Sequence, residues 1–378
     1  MTKLREHFYK NKEAIKEDLL TLTRAESPTQ DKRLVDACGM ELSKLFQNYF
    51  GVEPEVFKQD IQGDHLKFKI GNGEKRVLIL VHFDTVWDVG RIPIVEKDGK
   101  LHGPGVFDMK SGIIQALWAV KGLTEVEGGL EGLEIVFLCT SDEEIGSVSS
   151  RELIETEAKK ADAVLVTEAP VHGNGALKTS RNGVGIYEII TKGVSSHAGS
   201  HHGDGVSAIK EMAHQIIKLE GMTDYELGTT VNIGIVEGGT RLNVVPDRAR
   251  ATIDFRVKTK EEGERMVKVV ESLEPLTEGA EIEIRGSLNR PPMERTEATA
   301  KLFGYAKEAA KEIGFDLEEA HIGGGSDGNF TAGLGIPTID GLGCYGDGAH
   351  AKHEHIVLED LPKRTALIAH LLKNIAKA

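Results

Sequence analysis

Apolar segments of strand length alternate with segments of helical periodicity along the first half of the chain. Residues 77–81, 133–139 and 163–166 are almost entirely apolar, and helical patterns over 111–123 and 149–160 separate them. Strands that are apolar throughout are buried on both faces, which is typical of a parallel sheet covered by helices. The pattern therefore predicts an α/β fold with a mixed, mostly parallel sheet sandwiched by helices.

The alternation changes between residues 181 and 290. Strand and helix patterns there follow the order β-α-β-β-α-β, which is that of a ferredoxin-like split unit. Pro291 and Pro292 then mark a linker, after which the α/β pattern resumes. A chain of 378 residues exceeds the usual size of one core. We predict one domain from residues 1–180 and 291–378, with residues 181–290 inserted as a second, α+β domain.

The composition limits the partners. The formal net charge of −14 argues against binding to nucleic acid or to an anionic membrane surface. No window is apolar for long enough to span a bilayer, and residues 1–16 lack the apolar core of a signal peptide. The cysteines, Cys38, Cys139 and Cys344, are too few and too far apart to imply a disulfide framework. We therefore expect a cytoplasmic protein.

Acidic side chains and a histidine follow the apolar strands or lie in short turns rich in glycine. They are His82 with Asp84, Asp108, Glu143 with Glu144, and Glu168. Ligands of open α/β sheets gather at the carboxyl ends of the strands. Each of these residues alone is more often a solvated polar group at a strand end. Their joint occurrence at successive strand ends indicates a functional site.

The adjacent Glu143 and Glu144 repel each other unless something uses their charge, because like charges in a dry site raise each other's pKa. A metal ion removes the difficulty, since one carboxylate ligates it while the neighbour stays available as a base. The histidine-rich segment 346–355 supplies a further imidazole. Imidazole combined with carboxylates suits zinc, with manganese or cobalt as alternatives. A carboxylate such as Asp108 can bridge two ions about 3.5–4 Å apart.

Four ordered motifs carry a resemblance to a known family. They are His82-x-Asp84-Thr85-Val86, Gly105-Val106-Phe107-Asp108-Met109-Lys110-Ser111-Gly112, Asp142-Glu143-Glu144-Ile145-Gly146-Ser147 and His350-x-x-x-Glu354. Together they resemble the zinc aminoacylase and carboxypeptidase family, which includes bacterial glutamate carboxypeptidase, acetylornithine deacetylase and succinyl-diaminopimelate desuccinylase. The resemblance covers essentially the whole chain. It implies a zinc-exopeptidase-like fold whose inserted domain serves as a dimerisation and lid domain.

The resemblance also implies two zinc ions per subunit. The implied ligands are His82, Asp108 and Glu168 at one ion, and Asp108, Glu144 and His350 at the other, with Asp108 bridging. Asp84 would fix the tautomer of His82, Glu143 would be the general base, and the peptide bond after Asp108 would be cis. The spacing to Glu354 favours His350 over His353 and His355 as the ligand, and the roles of those two histidines stay open.

Further substrate-binding residues follow from the same resemblance. His197 resembles the histidine that reaches into the site of a partner subunit and polarises the scissile carbonyl, while Asn243 and Arg256 resemble groups that bind the substrate carboxylate. A guanidinium suits that role because it offers two parallel donors. The glycine run at 323–328 lacks the lysine of a P-loop, and a close backbone approach to a carboxylate, centred on Gly325, fits it better. Arg290 either faces substrate or braces the hinge.

The sequence thus predicts a di-zinc metallohydrolase that cleaves an amide bond and releases an amino acid with a free carboxylate, in the manner of glutamate carboxypeptidase. The substrate would be an N-acyl amino acid or a short peptide, and the enzyme a homodimer. The alternative is a dipeptidase or an N-acyl amino acid deacylase of the acetylornithine deacetylase or desuccinylase type, and Trp87 hints at the dipeptidase. A relative without catalytic activity should have lost a ligand or the base, and none is missing.

Overall fold

The computed structural model describes residues 2–378, which divide into two compact units. The first comprises residues up to Ser180 together with Arg295–His321 and Ser326–Ala378, and the second comprises Arg181–Glu294 and Ile322–Gly325. The second unit extends past the predicted limit at residue 290 because Arg181 and Met293 exchange two backbone hydrogen bonds. It includes residue 322 because the Asn182 N–H donates to the Ile322 carbonyl.

The first unit is built from alternating helices and strands, and the second unit has a split β-α-β order. The helices are α1 Lys3–Lys10, α2 Lys12–Arg24, α3 Lys32–Phe50, α4 Ser111–Val126, α5 Arg151–Ala158, α6 Ala208–Glu220, α7 Lys260–Glu271, α8 Glu297–Glu312, α9 Gly328–Gly333 and α10 Asp360–Lys377. The strands are β1 Glu55–Phe57, β2 His65–Gly71, β3 Lys75–His82, β4 Val95–Lys97, β5 Lys100–His102, β6 Leu133–Thr140, β7 Ala163–Val166, β8 Leu177–Arg181, β9 Gly183–Lys192, β10 Thr230–Gly238, β11 Arg248–Val257, β12 Glu281–Arg290, β13 Glu319–Ile322, β14 Thr338–Ile339, β15 Gly346–Asp347 and β16 His355–Val357.

A six-stranded sheet in the order β1-β2-β6-β3-β7-β14 is the centre of the first unit. Strands β6, β3, β7 and β14 run parallel, whereas β2 is antiparallel to β6 and β1 to β2. The register aligns His82 with Thr140 and Leu80 with Val166, so these strands end at one level. The predicted α/β fold with a mixed, mostly parallel sheet between helices is confirmed.

Both faces of this sheet are buried. Alternate residues of β3 point to opposite sides: Val77, Ile79 and Val81 join a large core with residues of α1–α4, α8 and α10. Leu78 and Leu80 join a smaller core on the other face, with residues of α5 and α9. Each fully buried aliphatic side chain contributes about 1.5–3 kcal/mol to stability. The absence of polar side chains from the middle of β3 follows from this two-sided burial.

The N-terminal helical segment differs from the sequence-based expectation. Apolar residues recur at helical spacing from Leu4 to Leu22, which predicts one helix, but the chain forms α1 and α2, which meet at Asn11. The side chain of Asn11 donates to the His7 carbonyl and its own N–H donates to the same oxygen, which ends the first helix. Asn competes for backbone hydrogen bonds in this way and so favours helix ends.

The second unit contains an antiparallel sheet in the order β10-β11-β9-β12, with α6 and α7 packed on one face. The elements follow one another as β9-α6-β10-β11-α7-β12. Tyr187, Ile253, Phe255 and Met266 belong to the buried cluster between the sheet and the helices. This unit therefore has a hydrophobic core of its own.

Two smaller features complete the description. A small antiparallel sheet in the order β15-β16-β5-β4 includes a hairpin that turns at Asp98 and Gly99, both with positive φ. Cys38, Cys139 and Cys344 are free and buried. No helix within residues 2–378 is long and apolar enough to cross a membrane.

Candidate metal centre

Five of the predicted residues of the first unit converge at the carboxyl ends of the parallel strands. The His82 Nε2 atom lies 3.3 Å from an oxygen of Asp108 and 3.3 Å from an oxygen of Glu168. The His350 Nε2 atom lies 3.4 Å from the other oxygen of Asp108 and 3.0 Å from an oxygen of Glu144. Asp108 therefore stands between two imidazoles, each of which also faces a second carboxylate.

Sheet register and one close contact explain this convergence. His82 is the last residue of β3, and Glu168 follows β7 at the corresponding level. The turn with Asp108 precedes α4, and a Cβ placed on Gly112 would lie 1.8 Å from the Thr167 carbonyl oxygen. Only glycine allows α4 to approach the end of β7 this closely. The approach brings Asp108 beside Glu168.

The donor set fits divalent cations. Zinc bonds to nitrogen and oxygen are about 2.0–2.2 Å long, so neighbouring ligands of a tetrahedral ion are about 3.4 Å apart. The four distances of 3.0–3.4 Å match that separation. The His82 Nε2 atom is buried and has no hydrogen-bond partner, which is costly unless a cation occupies its lone pair. His82, Asp108 and Glu144 each offer an atom within 4.8 Å of the others.

The electrostatics of the centre also favour cation binding. Burial raises the pKa of Glu144 to about 7, and the charge of Asp108 adds to that effect. Burial likewise raises the pKa of Glu168, with Asp108 as the next cause. Hydrogen bonds to Asp108 and Glu144 raise the pKa of His350 to about 11. The pocket therefore holds more negative charge than its own side chains neutralise, and a positive ion removes that excess.

Asp84 connects two parts of the centre. Its Oδ1 atom lies 3.4 Å from the Nδ1 atom of His82, so the two predicted partners are adjacent. The same carboxylate accepts the backbone N–H groups of Glu143 and Glu144, each over 3.3 Å. The hydroxyl of Thr29 donates to its Oδ2 atom over 2.8 Å. Asp84 is completely buried, so these contacts fix its carboxylate in place.

Glu143 and Glu144 lie in a single 3₁₀ turn, Glu143–Ile145, directly after β6. Asp142 holds the start of this turn, since its carboxylate accepts hydrogen bonds from the backbone and hydroxyl groups of Ser149 and Ser150. The neighbouring Ser141 contacts the buried imidazole of His65. Burial lowers the pKa of His65, which favours the neutral imidazole at this position. The turn is therefore anchored on both sides.

Glu354 is a buried carboxylate whose contacts the sequence did not reveal. Its oxygens accept backbone N–H groups from Gly105, Phe107 and Asp108 over 3.0–3.2 Å, and the indole N–H of Trp87 over 2.6 Å. It thereby ties the segment that follows His350 to the turn that carries Asp108. The Asp108–Met109 peptide bond in this turn is cis, as the resemblance implied.

The three histidines of the C-terminal segment have different surroundings. His350 is the one beside Asp108 and Glu144. His355 is buried in β16, opposite His102 of β5. His353 is exposed, and its Nε2 atom lies 3.7 Å from Asp347. The structure thus places one histidine of the three at the centre.

The four remaining predicted residues lie in the second unit. The Nδ1 atom of His197 accepts the N–H groups of Gly199 and Ser200 over 3.1 and 3.0 Å, so a neutral imidazole carries its proton on Nε2. The exposed Asn243 accepts the Ala198 N–H at its backbone carbonyl. These contacts place His197 and Asn243 on adjacent segments of the second unit.

Arg256 and Gly325 have partners that the sequence analysis did not anticipate. Both arms of the Arg256 guanidinium donate to Asp254, each over 2.6 Å, so its fork is engaged within the protein. Gly325 accepts a hydrogen bond from Arg181 at its carbonyl, and a Cβ there would lie 2.9 Å from the Cδ atom of Arg290. Arg290 is buried, with only 5% of its surface exposed, so it packs against this glycine within the second unit.

The α/β fold and the converging imidazoles and carboxylates define a hydrolase of the metallopeptidase class, which acts on amide bonds. The sequence pattern of "Peptidase family M20/M25/M40" matches residues 78–374. The chain belongs to this family, and the predicted resemblance is confirmed.

Similar proteins support this assignment. Carboxypeptidase G2 of Pseudomonas sp. (strain RS-16) is 30% identical over 371 residues, covering 96% of this chain and 89% of that protein. Acetylornithine deacetylase of Myxococcus xanthus is 25% identical over 334 residues, covering 79% and 80%. The crystal structure of aminopeptidase PepT from Bacillus cereus ATCC 10987 has a TM-score of 0.77 and 26% identity, covering 97% of this chain and 99% of that one.

Proposed function

We propose that this protein is a di-zinc amidohydrolase that releases an amino acid with a free carboxylate, in the manner of a glutamate carboxypeptidase. The observation that carries the proposal is the position of Asp108, whose two oxygens face the Nε2 atoms of His82 and His350 at 3.3 and 3.4 Å. A carboxylate between two imidazoles is the arrangement that a pair of bridged ions requires. Manganese or cobalt would fit the same ligands.

In this proposal His82, Asp108 and Glu168 hold one ion, and Asp108, Glu144 and His350 hold the other. The ions would polarise the substrate carbonyl and lower the pKa of water. Asp84 keeps the imidazole of His82 in one orientation, because its backbone carbonyl lies 3.1 Å and its Oδ1 atom 3.4 Å from Nδ1. The second nitrogen of that ring then remains directed toward Asp108 and Glu168.

Glu143 acts as the general base and acid. It takes a proton from the water that attacks the carbonyl carbon, and then delivers this proton to the nitrogen of the leaving amine. The adjacent Glu144 faces His350, and both backbone N–H groups are held by Asp84. The resemblance assigns proton transfer to Glu143, and the contact of Glu144 with His350 supports the role of Glu144 as a metal ligand.

The second unit supplies the proposed substrate contacts. His197 donates from Nε2 to the scissile carbonyl, in keeping with the two N–H groups that occupy its Nδ1 atom. Asn243 and Arg256 bind the substrate carboxylate, and a backbone approach at Gly325 assists them. Arg256 would have to exchange at least part of its contact with Asp254 for that purpose. A homodimer belongs to the proposal because the resemblance implies that His197 serves a partner subunit.

The choice between a carboxypeptidase and the alternatives rests on substrate class. The relatives include proteins named carboxypeptidase G2 and acetylornithine deacetylase, so both release of a C-terminal amino acid and deacylation are candidates. The dipeptidase stays an alternative, and the indole N–H of Trp87 donates to Glu354.

The experiment is a panel of substrates assayed with the zinc-loaded enzyme and with Glu143→Gln as the blank. The panel contains N-acyl amino acids, dipeptides and N-blocked peptides that end in glutamate, each as the free acid and as the C-terminal amide. We expect turnover of N-blocked substrates only when the carboxylate is free. Equal turnover of acid and amide forms would exclude carboxylate recognition, and turnover of N-acetyl amino acids alone would favour the deacylase.

A further inference from the structure

We propose that His65 is a positioning residue for the general base Glu143, and that it acts by holding both ends of the segment 141–149. His65 is the first residue of β2, and its side chain is buried. The proposed hydrolysis assigns it no role. The inference rests on the proposed function, because the imidazole has this task only if Glu143 transfers the proton.

The topology of the sheet brings this imidazole to the end of β6. Strand β2 runs antiparallel to β6, and Leu66 lies opposite Cys139. The start of β2 therefore lies beside the end of β6, where the turn Glu143–Ile145 follows. A side chain at the first position of β2 is thus at the same edge of the sheet as the general base.

The two ring nitrogens of His65 contact opposite ends of the segment 141–149. The Nδ1 atom lies 2.9 Å from the hydroxyl oxygen of Ser141, and the Nε2 atom lies 3.0 Å from the hydroxyl oxygen of Ser149. Both distances are within the range of about 2.7–3.2 Å for hydrogen bonds between nitrogen and oxygen. Because the imidazole is a rigid ring, it keeps the two serines at a fixed separation, with Glu143 in the segment between them.

Further contacts hold the same two serines. The hydroxyl of Ser141 donates to the carbonyl of Gly63, two residues before the imidazole. Ser149 donates to the Asp142 carboxylate from its N–H and from its hydroxyl, each over 2.7 Å. The imidazole is thereby connected through Ser149 to the residue directly before the general base.

The middle of the turn is held by longer hydrogen bonds. The N–H groups of Glu143 and Glu144 donate to Asp84 over 3.3 Å, which is longer than the ordinary range of about 2.7–3.2 Å. The contacts of His65, at 2.9 and 3.0 Å, are shorter. Loss of the imidazole should therefore let the ends of the segment separate and displace Glu143. A displacement of about 1 Å can reduce catalysis about 10²-fold.

Substitutions at position 65 distinguish polar contacts from simple packing. The amide in His65→Asn takes the place of Nδ1, and the amide in His65→Gln reaches the place of Nε2, so each variant keeps one of the two hydrogen bonds. The side chain in His65→Leu is close to histidine in size and keeps neither. Positioning through hydrogen bonds therefore predicts the lowest kcat in His65→Leu. A packing role would instead make His65→Asn, with the smallest side chain, the least active.

The kinetic test compares kcat and KM of these variants at saturating zinc, with an N-blocked peptide that ends in glutamate as the substrate. His370→Gln is the matched control, because His370 is also buried and is held by hydrogen bonds with Thr2 and Glu312. We expect His65→Leu to lower kcat about 10–100-fold while KM and zinc content stay close to the wild type. His370→Gln should lower the resistance to urea and leave kcat unchanged.

Hydrogen–deuterium exchange of peptides that cover residues 140–150 tests the inference without a substrate. Exchange there should become at least about tenfold faster in His65→Leu and stay unchanged in His370→Gln. An exchange rate in His65→Leu equal to that of the wild type would overturn the proposal. Full turnover in Glu143→Gln, assayed in parallel, would refute the proposed function itself. An inactive Glu143→Gln beside a fully active His65→Leu would refute this inference alone.

Discussion

The backbone N–H of Glu143 donates to the Oδ1 atom of Asp84 over 3.3 Å. The same oxygen lies 3.4 Å from the imidazole of His82, so the proposed base and a proposed metal ligand share one anchor. The buried carboxylate of Asp84 therefore contacts both the imidazole at the end of β3 and the turn after β6, and the Asp84 backbone carbonyl lies 3.1 Å from the same imidazole nitrogen. Loss of that carboxylate should affect metal binding and turnover together.

Asp84→Asn is the direct test of this anchor. The amide of asparagine has a single oxygen and cannot accept at both positions, so we expect zinc affinity to fall about 10–100-fold and turnover to fall with it. Competition with a chromogenic chelator measures the affinity. Thr29→Val is the matched control, since it removes one donor to Asp84 and leaves the carboxylate, and its effect should be smaller. Unchanged metal affinity in Asp84→Asn would contradict the assigned role.

Glu143→Gln should separate metal binding from proton transfer. The backbone N–H that contacts Asp84 is kept, so the turn should stay in place and the metal content should match the wild type. Turnover should fall about 10²–10⁴-fold, the usual contribution of a general base. Glu144→Gln is the companion variant, and it should lose metal because Glu144 faces His350. Full turnover in Glu143→Gln would remove it from catalysis.

Glu354→Gln should destabilise the protein. Glu354 is completely buried and accepts N–H groups from Trp87 and from three backbone positions. The amide of glutamine would set a donor against at least one of these donors, at about 1–3 kcal/mol. Urea unfolding of the zinc-loaded enzyme gives the difference. Trp87→Phe removes one donor only and should have the smaller effect; a stability unchanged by Glu354→Gln would refute this account.

We expect the ion pair with Asp254 to weaken the binding of the substrate carboxylate by Arg256. Both arms of Arg256 donate to Asp254 at 2.6 Å, so Asp254→Asn should release the guanidinium. If Arg256 binds the substrate carboxylate, KM should fall in Asp254→Asn and rise in Arg256→Lys while kcat changes little. A charge-assisted hydrogen bond is worth about 1.5–3 kcal/mol, which corresponds to a change in KM of about tenfold or more. If both variants had the KM of the wild type, Arg256 would have a structural role only.

Asp64 should contribute stability that depends on pH. Burial favours its neutral form, but hydrogen bonds from Lys32, Lys58 and the Gln59 N–H outweigh that effect and lower its pKa from 3.8 to about 2. A lowered pKa in the folded protein stabilises the fold above pH 4, and this stabilisation disappears as the pH falls from about 4 to 2.

The measurement is urea unfolding of wild type and Asp64→Asn between pH 2.5 and 6. The wild type should be the more stable at pH 6, and the difference should shrink as the solution becomes acidic. Loss of zinc at low pH affects both proteins and cancels in the comparison. A difference that stays constant over the whole range would show that Asp64 acts through something other than its charge.

The sequence predicts both the central sheet and much of the candidate metal centre, because the burial of the strands on both faces determines the two together. Strands buried on both faces must be apolar until they reach the sheet edge, so the first polar residues after 77–81 and 163–166 mark positions at one level. After 77–81 the first polar residue is His82, and after 163–166 the polar pair Thr167 and Glu168 follows. Local apolarity therefore indicated where long-range neighbours would meet.

Other contacts left no such signal. Trp87 and Glu354 are far apart in the chain, and nothing in either segment indicates the other. The glycine run at 323–328 hid the short helix α9, because glycine disfavours helices in isolation. The pairing of Arg256 with Asp254 could have been anticipated, since residues two apart on a strand lie on the same face. The apolar spacing continues across Asn11 and so gives no sign of the helix break there.

Four residues of the candidate metal centre precede the second unit in the chain, and His350 follows it. During translation, the three acidic residues and His82 are therefore synthesised well before His350. The growing polypeptide therefore carries an incomplete ligand set until His350 has been added. Premature termination anywhere upstream of the codon for His350 would yield a product unable to assemble the pair of sites, even if its sheet formed.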